Sequence, residues 1–353
     1  MLSLFTCLYQ MNIPKFMKKV ENNSNSEHFN MIYARFKSLC VGENISLGRS
    51  YNSTFLPTDI RDCVFTRTLV FTSNGGVVYI SNVATGLKIS NTIFYHCITT
   101  GNGGSIYFNS PTTGKSFIIR YTCASLSLAN YAQFSYSYIS PDYSNQLEFC
   151  SINRCRNTTE CYYPIGLLSG KQMIQNNNVS MNYVKSYSSF YCINTYSYEC
   201  SFNNIVSNVA EVEYCYYKLN ITGNVAFCNF IGNNSPSRNG VIHIASNSSI
   251  HFSYCIFKNN NNTLFHNANG VIFVSSSYIH HTQKTTSGDV RTSNSNNSFI
   301  DFPSYNIPFF TTHFCPGNDD QIEIPYRTYE FCSTQAPSGI PIVLIMISSS
   351  LIP

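Results

Sequence analysis

Three groups of residues have types and spacings that invite a search for catalytic or metal-binding chemistry. Cys150, Cys155 and Cys161 lie close together, but they lack the paired Cys-x-x-Cys spacing that is typical of zinc sites. The segment GNGGSI, which begins at Gly101, lacks the third glycine of a dinucleotide-binding loop and precedes a strand pattern rather than a helix. His280–His281 fits a solvated loop, and the chain has no Gly-x-Ser-x-Gly or His-Glu-x-x-His motif. These groups therefore predict no cofactor-binding residue and no metal ligand.

Asp319 and Asp320, in the segment GNDDQ, are adjacent carboxylates of the kind that glycoside-cleaving enzymes use as acid and base. The segment is similar to the paired-aspartate motif of the polygalacturonase family. The companion Asn-Thr-Asp, Gly-His-Gly and Arg-Ile-Lys motifs of that family are absent, and the pair lies outside the repeats described next. An acidic loop is therefore the favoured interpretation, and no catalytic residue is predicted.

The elements that must carry these residues repeat along the chain. NGGVVYIS (Asn74–Ser81) recurs as NGGSIYFN (Asn102–Asn109), with an offset of 28 residues between the second glycines (104 − 76). NGVIHI (Asn239–Ile244) recurs as NGVIFV (Asn269–Val274), with an offset of 30 (270 − 240). With a hidden unit near Met173–Asn178, the repeats give eight candidate units between about residue 60 and residue 275. A second phrase of three residues ending in Phe or Ile marks most of them, at Cys63, Thr92, Cys150, Cys200, Cys228 and Cys255, with Cys123 in the remaining gap.

The residues that follow the glycine phrase alternate as in a β-strand, whose successive side chains point to opposite faces. Mixed residues such as Tyr107, His243 and Phe273 stand at odd positions and are predicted to face solvent or a partner. We expect the apolar residues at even positions to be buried, and Ile106, Ile242 and Ile272 to stack on one sheet. The apolar pairs are Val78 and Ile80, Ile106 and Phe108, Ile242 and Ile244, and Ile272 and Val274.

Short strands in every repeat, polar turns between them and no helical period predict an all-β fold, a right-handed parallel β-helix in which each unit is one coil. Eight coils stacked at the strand spacing of roughly 4.8 Å give a rod of about 38 Å. Glycine is expected to supply the positive φ of a corner in each coil. A β-sandwich or propeller is the alternative, but it would place two-residue Asn-Gly turns between paired strands, whereas Asn239-Gly240 and Asn269-Gly270 follow long polar tracts.

The segments that flank the repeats predict three regions, an N-terminal cap over 1–58, the β-helix over 59–302, and a C-terminal cap with an apolar tail over 303–353. FNMIYARFKSL (Phe29–Leu39) has apolar residues at helical spacing, so a short helix is expected to cover the first sheet edge. MLSLFTCLY is a weak signal segment, because it lacks a basic region and a cleavage site. The C-terminal GIPIVLIMISSSLIP is shorter than the roughly 20 residues of a membrane helix. A truncated membrane anchor is favoured for it, with a lipid-replaced tail or a capping strand as alternatives.

The 15 cysteines leave the compartment open. Outside the cell, stacked residues such as Cys228 and Cys255 would be near enough to form a disulfide. A ladder of buried thiols is the preferred interpretation. Many Asn-x-Ser/Thr sequons are expected by chance in so Asn-rich a chain; they begin at Asn22, Asn44, Asn52, Asn157, Asn178, Asn220, Asn233, Asn247, Asn261 and Asn296.

Composition excludes one class of partner. Charged residues make up 11% of the chain, and the net charge of +4 includes no basic run longer than Lys18-Lys19. No nucleic-acid-binding surface is therefore predicted. A hydrophobic content of 43% is enough for a sizeable core.

With both phrases identified, the chain resembles the β-helical repeat proteins typified by chlamydial polymorphic outer membrane proteins, whose repeats combine Gly-Gly-aliphatic-aliphatic with Phe-x-x-Asn. Similar repeats occur in large trichomonad surface-protein families. GGVVY and GGSIY match the first motif, and FIGN (Phe230–Asn233) and FKNN (Phe257–Asn260) match the second, within roughly residues 60 to 275. Phe65 and Phe94 lack the asparagine, and three units lack the double glycine. The resemblance implies surface display and adhesion without implying a receptor.

Three functions are compatible with these patterns. The favoured one is a non-enzymatic β-helix, displayed on the cell surface or secreted, that binds a host-cell, glycan or protein ligand on its outer face. The apolar tail would associate it with a membrane. A polysaccharide lyase or glycoside hydrolase on a pectin-lyase-like β-helix is the alternative, and an intracellular scaffold with reduced thiols is the third. Low charge and outward Tyr, Asn and Ser residues favour the first.

Overall fold

The computed structural model describes residues 35–42, 58–66, 68–70, 74–81, 86–112, 115–155, 161–235, 240–280, 286–297, 303–312, 315, 332–335 and 341–344. All regular elements in these ranges are β-strands, and no helix is present there. The first strands are β1 (Arg35–Gly42), β2 (Thr58–Thr66), β3 (Leu69–Val70), β4 (Val78–Ser81), β5 (Leu87–Tyr95), β6 (Ile98–Thr99), β7 (Ile106–Ser110), β8 (Phe117–Ser125), β9 (Ala132–Ile139) and β10 (Ser144–Glu148). The next are β11 (Ser151–Asn153), β12 (Tyr163–Leu168), β13 (Lys171–Gln175), β14 (Asn178–Ser180), β15 (Tyr183–Val184), β16 (Tyr187–Ser201), β17 (Asn204–Val206), β18 (Val209–Ala210), β19 (Tyr214–Ala226) and β20 (Asn229–Ile231). The last are β21 (Ile242–Ile244), β22 (Ser249–Ser253), β23 (Ile256–Lys258), β24 (Phe265–Asn267), β25 (Val271–Ser275), β26 (Tyr278–His280), β27 (Thr286–Ser287), β28 (Val290–Ser293), β29 (Asn296–Asn297), β30 (Cys332–Gln335) and β31 (Pro341–Leu344).

Parallel pairing joins 25 of these strands into one sheet that winds around the chain axis with three faces. Face A comprises β4, β7, β9, β12, the starts of β16 and β19, β21, β24 and β27. Face B comprises the starts of β2, β5 and β8, then β10, β13, the ends of β16 and β19, β22, β25 and β28. Face C comprises the ends of β2, β5 and β8, then β11, β14, β17, β20, β23, β26 and β29. The predicted all-β parallel β-helix is confirmed.

Side chains inside the rod stack in register from one coil to the next. Full burial of one such apolar side chain contributes roughly 1.5–3 kcal/mol. One lane on face B runs through Ile60, Ile89, Ile119, Leu147, Ile174, Cys200, Val225, Phe252, Val274 and Thr292. All of these side chains except Thr292 are buried. The first eight correspond to the eight predicted units, and Ile174 belongs to the hidden one.

The predicted strand phase is correct within the strands. It is wrong for Val77, Ser105 and Val241, the first odd positions after the glycines, which precede the strands and are fully buried instead of facing solvent. Ile106, Ile242 and Ile272 are fully buried. Phe273 points outward and is 36% exposed. Tyr107 and His243 also alternate with the buried positions, but aromatic neighbours in adjacent coils cover them.

The expectation that all three isoleucines stack on the same flat sheet is wrong, because they lie on two different faces of the wound sheet. Ile242 pairs with Phe265 on face A, whereas Ile272 pairs with Ile250 on face B. The coils shorten toward this end. Hydrogen bonds at the corner between faces B and C span 27 residues from Cys150 to Asn177, but 22 from Cys255 to Ser277 and 18 from Ser277 to Ser295. An offset of 30 residues therefore carries the second copy of the phrase past its own face onto the next one.

The cysteine phrase marks one corner in most coils but not in all. Cys200 lies on face B beside Ile174 and Val225, three residues before the corner residue Asn203. Cys123 lies one residue after the corner, on face C. The prediction that Cys200 and Cys123 occupy the same corner as the other cysteines is therefore wrong. Coil lengths differ by a few residues, and a difference of one residue is enough to move a side chain to a neighbouring position. The corner itself is occupied by Cys63, Thr92, Thr122, Cys150, Asn177, Asn203, Cys228, Cys255 and Ser277.

The residue before each of these positions from Thr92 onward turns the corner with a left-handed backbone. Glycine adopts this conformation, as predicted, at the turn into face A, at Gly75 and Gly103 with φ of 70° and 69°. At Gly76 the requirement is space, because a Cβ there would lie 2.1 Å from the Gly104 carbonyl oxygen in the next coil. Most other corners have a non-glycine residue, which costs roughly 1–2 kcal/mol each. Those between faces B and C are Asn91, Tyr121, Phe149, Asn176, Phe202, Phe227, Tyr254 and Ser276.

Hydrogen bonds from buried asparagines offset that cost. We call the stacked rows at the corners the asparagine ladders; one contains Asn177 and Asn203, and the other contains Asn182, Asn208, Asn233 and Asn260. In the longer ladder, Asn208 Oδ1 accepts from the backbone N–H of Asn182 at 3.1 Å and from its Nδ2 at 3.0 Å. Asn208 Nδ2 donates to the carbonyl oxygens of Val179 at 2.8 Å and of the Asn233 side chain at 3.1 Å. Each asparagine therefore binds its own coil to both neighbours.

The flanking regions differ from the sequence predictions in part. Strand β1 begins at Arg35 and pairs with β2, so the second half of the segment predicted as a helix, Phe29–Leu39, is a strand. A strand pairs its backbone with the first coil directly, which a helix cannot do. In the apolar tail, β31 pairs antiparallel with β30, and the rest of the tail and the signal segment lie outside the described residues. Among described residues no helix is long and apolar enough to cross a membrane.

Residues 303–312 and Cys315, called here the C-terminal strap, run along the outer side of face C. The Tyr305 N–H donates to Asn229 Oδ1 at 3.1 Å, and Asn229 Nδ2 donates to the Tyr305 carbonyl at 2.9 Å. Cys315 forms a disulfide with Cys123, across 192 residues of sequence and with Cα atoms 5.9 Å apart. The strap thereby reaches from a late coil back to an early one.

Candidate functional site

The outer side of face A carries a row of stacked rings, which we call the tyrosine ladder. Ring centroids lie 5.3 Å apart for Tyr79 and Tyr107, and 5.4 Å apart for Tyr191 and Tyr217, with interplanar angles of 6° and 13°. The parallel register imposes this arrangement, because it places one side chain above another in every coil. The ladder positions are Tyr79, Tyr107, Tyr136, Gly166, Tyr191, Tyr217, His243 and His266.

At Gly166, the one ladder position without a side chain, the ring of Tyr163 from the same strand takes the place of the missing ring. Gly166 stands between Tyr136 and Tyr191 in the register. A Cβ on Gly166 would lie 2.5 Å from the ring of Tyr163, which stacks on Tyr191 with centroids 4.6 Å apart. The absence of a Cβ at Gly166 therefore leaves space for the Tyr163 ring, which stacks on Tyr191 of the next coil.

A second short row widens the ladder at its centre. Tyr187 lies 4.9 Å from Tyr191 and 4.7 Å from Tyr217, measured between ring centroids. Tyr163 and Tyr214 flank Tyr187 at 6.4 and 6.0 Å. We call these five residues the tyrosine cluster.

The ladder is a neutral hydrogen-bonding surface. Burial raises the pKa of Tyr136 and of Tyr217 to about 12, and it also raises the pKa of Tyr107 and Tyr191. The phenols therefore keep their protons across the physiological range, and each hydroxyl can donate one hydrogen bond and accept others. The faces of the rings are used in stacking, so ring edges and hydroxyl groups are what a ligand would meet.

Two histidines end the ladder. The Nδ1 atoms of His243 and His266 lie 2.7 Å apart, and the rings stack with centroids separated by 4.8 Å. One ring must donate the proton and the other accept it, so both cannot be cationic in this geometry. Burial lowers the pKa of His266, in agreement with a neutral pair. No group of three or more His, Cys, Asp or Glu side chains able to hold a metal ion occurs among the described residues.

A shallow groove of about 460 Å³ lies on the outer side of face B near the last coils. The Arg291 guanidinium lies 5.4 Å from the centre of the Phe273 ring and pairs with Asp289 at 2.8 Å. His251 Nε2 is 2.7 Å from the Ser275 hydroxyl. One aromatic ring with polar groups around it is a surface that suits a sugar residue. The groove is lined by Thr222, Gly223, Asn224, Ser249, His251, Phe273, Arg291, Thr292 and Ser293.

Lys218 lies inside the rod rather than on a binding surface. Its side chain is fully buried, and Nζ is 4.3 Å from the centre of the Tyr198 ring and 4.4 Å from that of Tyr216. Burial lowers the pKa of the Lys218 ammonium, and the nearby Cys192 thiol partly opposes that shift. Cation–π contacts of this kind are worth about 0.5–2 kcal/mol, which is less than the cost of burying a charge.

The structure describes only some of the residues considered first from sequence. Asp319 and Asp320 lie outside the described residues. His280 Nδ1 contacts Asn259 Oδ1 at 3.2 Å on the surface, and His281 is not described. The ten buried free cysteines of the described chain include Cys228 and Cys255, so the preferred interpretation of these two as buried thiols is confirmed.

Burial makes the thiols unreactive and excludes glycosylation at two of the sequons. It raises the pKa of Cys97 to about 11 and that of Cys150 to about 12, so both stay protonated and unreactive. The sequon residues Asn178 and Asn233 are buried, and folded chains cannot carry glycans at such positions.

Comparison of the chain with family models, curated proteins and solved structures finds no match. The resemblance to polymorphic outer membrane protein repeats therefore stays a prediction from short motifs, and the function must be argued from the surfaces described above.

Sequence reasoning found part of the ladder and missed its centre. Tyr79, Tyr107 and His243 were visible, because they alternate with apolar residues after the glycine phrase. Tyr191 and Tyr217 follow no such phrase. The available signal was the run of tyrosines at a spacing of 26 residues (217 − 191), close to one coil.

Proposed function

We propose that this chain is a non-enzymatic binding protein, displayed on the cell surface or secreted, whose tyrosine ladder binds an extended glycan. The observation that carries the proposal is the row of tyrosines along the outer side of face A, stacked in two runs, Tyr79–Tyr107–Tyr136 and Tyr163–Tyr191–Tyr217. Such a row is unnecessary for the fold, because the strands already pair through their backbones and the core lies on the opposite side of the sheet.

The geometry of the ladder favours a polymer over a small molecule. Its hydroxyl groups recur at the strand spacing of roughly 4.8 Å, which is close to the length of one pyranose residue in an extended chain. Hydroxyls both donate and accept hydrogen bonds, as sugars do. The groove beside Phe273 and Arg291 offers a second place for a chain end.

Three features support the external location. The Cys123–Cys315 disulfide is of a kind that persists in oxidising compartments. The sequon residues Asn247 and Asn261 are exposed. The apolar tail would hold the chain at a membrane. The right-handed sense of the β-helix belongs to the same proposal, because right-twisted parallel strands favour right-handed crossovers.

Binding to an immobilised panel of neutral and acidic glycans tests the proposal. The double variant Tyr191→Phe, Tyr217→Phe keeps both rings and removes two hydroxyls. Each hydrogen bond contributes about 0.5–1.5 kcal/mol, so we expect roughly tenfold weaker binding. Tyr254→Phe, at an exposed corner, is the control and should bind like the wild type. Unchanged binding by the double variant, or release of cleaved sugar by the wild type, would overturn the proposal.

Export is tested separately by labelling intact native cells with a membrane-impermeant reagent. We expect labelling, and a mass shift from glycans at Asn247 or Asn261. A protein that escapes the label and carries no glycan would favour the intracellular scaffold with reduced thiols.

A further inference from the structure

The tyrosine cluster concentrates more phenol rings than ligand binding or packing requires. Tyr187 is its centre, with four tyrosine rings at centroid distances between 4.7 and 6.4 Å. The rings of Tyr187 and Tyr191 stack with centroids 4.9 Å apart and an interplanar angle of 22°, so ring carbons of the two lie close together. The Tyr187 side chain is half-buried and within reach of small solutes.

A carboxylate beside the cluster can take the phenolic proton. Burial, together with the adjacent Glu213 carboxylate, raises the pKa of the Tyr187 phenol, and Glu213 is half-buried itself. Oxidation of a phenol by one electron makes it strongly acidic, so the oxidation proceeds most easily where a base accepts the proton at the same time. The Glu213 carboxylate is the base beside Tyr187. Tyr187 is therefore the tyrosine of the cluster best placed to become a radical.

We propose that the tyrosine cluster is a site of oxidative cross-linking, at which Tyr187 forms a carbon–carbon bond to a neighbouring tyrosine of the same chain. Two phenols each lose one electron and one proton. The two phenoxyl radicals couple through the ring carbons next to the hydroxyls, and the ring hydrogens then move to the oxygens to restore both phenols. Hydrogen peroxide, activated by a haem peroxidase, accepts two electrons and two protons and leaves as two molecules of water.

Other oxidisable groups compete poorly with the cluster. The chain contains no tryptophan, which would otherwise be a competing aromatic target. The ten free thiols among the described residues are buried, and buried protonated thiols oxidise slowly. The exposed corner tyrosines Tyr121 and Tyr254 stack on Phe149 and Phe227, and phenylalanine cannot couple in this way.

The pair Tyr131–Tyr162 provides the internal comparison. Its rings stack at 4.8 Å with an interplanar angle of 7°, which is closer than Tyr187 and Tyr191 at 4.9 Å. It offers one partner ring where Tyr187 has four. If proximity alone decided the reaction, this pair would cross-link as readily as the cluster.

The test treats the purified chain at low concentration with hydrogen peroxide and a haem peroxidase, and needs no glycan. Dityrosine fluorescence is measured on the monomer fraction, and cross-linked peptides are identified by mass spectrometry. We expect the main cross-link to join Tyr187 to another member of the cluster. Tyr187→Phe should lower the monomer yield more than twofold, and Tyr254→Phe should leave it unchanged.

Two further measurements separate the proposal from a general reactivity of tyrosines. Glu213→Gln should slow the initial rate by about tenfold or more, because the base is lost while the rings stay in place. Circular dichroism of each variant verifies that the fold is kept. A main cross-link at Tyr131–Tyr162, cross-links only between molecules, or an undiminished yield in Tyr187→Phe would overturn the proposal, whatever the outcome of the glycan experiment.

Discussion

Replacement of Asn208 by alanine tests how the corners of the β-helix are held together. The side chain is fully buried, and it makes four hydrogen bonds that connect it to the coils before and after its own. Asn208 itself has an ordinary backbone conformation, since the left-handed residue is Ser207 with φ of 52°. Alanine therefore introduces no backbone strain, and the loss of the amide group is the perturbation measured.

The size of the effect follows from the groups that are left behind. Asn208→Ala removes the partner of the Asn182 backbone N–H and of the Val179 carbonyl, whereas Asn182 Nδ2 keeps its hydrogen bond to the Ile152 carbonyl. A buried polar group without a partner costs about 1–3 kcal/mol. Two such groups give at least about 2 kcal/mol, and because relaxation of the corner recovers part of the larger values, we expect about 2–4 kcal/mol. That is a large part of the roughly 5–15 kcal/mol that stabilises an ordinary domain.

Equilibrium unfolding in urea, followed by circular dichroism, measures this loss. Asn224→Ala is the matched control, because Asn224 lies on face B in the following coil and is exposed. A surface change of this kind stays within about 0.5 kcal/mol of the wild type. If Asn208→Ala also stayed within about 1 kcal/mol, the ladder hydrogen bonds would contribute no more than surface ones, and our account of the corners would be wrong.

Three further predictions concern the core and the strap. Ile242→Asp should prevent folding, because an unpaired carboxylate would replace a fully buried side chain, and loss of the β-sheet circular dichroism signal measures this. Lys218→Met should stabilise the rod by about 1–4 kcal/mol at neutral pH; since the folded pKa of Lys218 is lowered from 10.5, the wild type gains stability as pH rises through the interval between the folded pKa and 10.5. The advantage of the variant in urea midpoint should therefore shrink toward that pH, and an advantage that does not change with pH would contradict this. Cys123→Ser should make the strap, but not the coils, sensitive to limited proteolysis, whereas equal cleavage of the wild type would show that the disulfide does not hold it.

The coil architecture could be predicted from the sequence because it depends on local regularities. Alternation after Gly76 and Gly104 fixed which side chains enter the core, and Ile106 and Ile242 are buried as expected. The assignment of Ile272 to the same face as Ile106 and Ile242 was wrong, because sequence spacing alone does not reveal that the coils shorten. Position within a coil depends on each turn length, and a change of a few residues moves a side chain to another face.

The functional surfaces were harder to predict, because they arise from residues brought together by register rather than by motif. Tyr163 enters the tyrosine ladder only because Gly166 lacks a side chain in the adjoining strand position. Asn233 and Asn260 of the longer asparagine ladder were visible in the Phe-x-x-Asn motif, but the shorter ladder was hidden. Asn177 and Asn203 replace the cysteine that marks the same corner in other coils, so a search for repeated cysteines could not recognise them.

The taper of the β-helix has a consequence for the behaviour of many copies in solution. A rod of identical coils exposes matching strand edges at its two ends, and such edges can pair without limit into a fibre. Here the last strands paired to the described coils, β28 and β29, contain four and two residues, and the last described coil step is 18 residues. The small edge leaves most backbone groups of a wider incoming coil unpaired. The narrowing therefore disfavours end-to-end polymerisation through this edge.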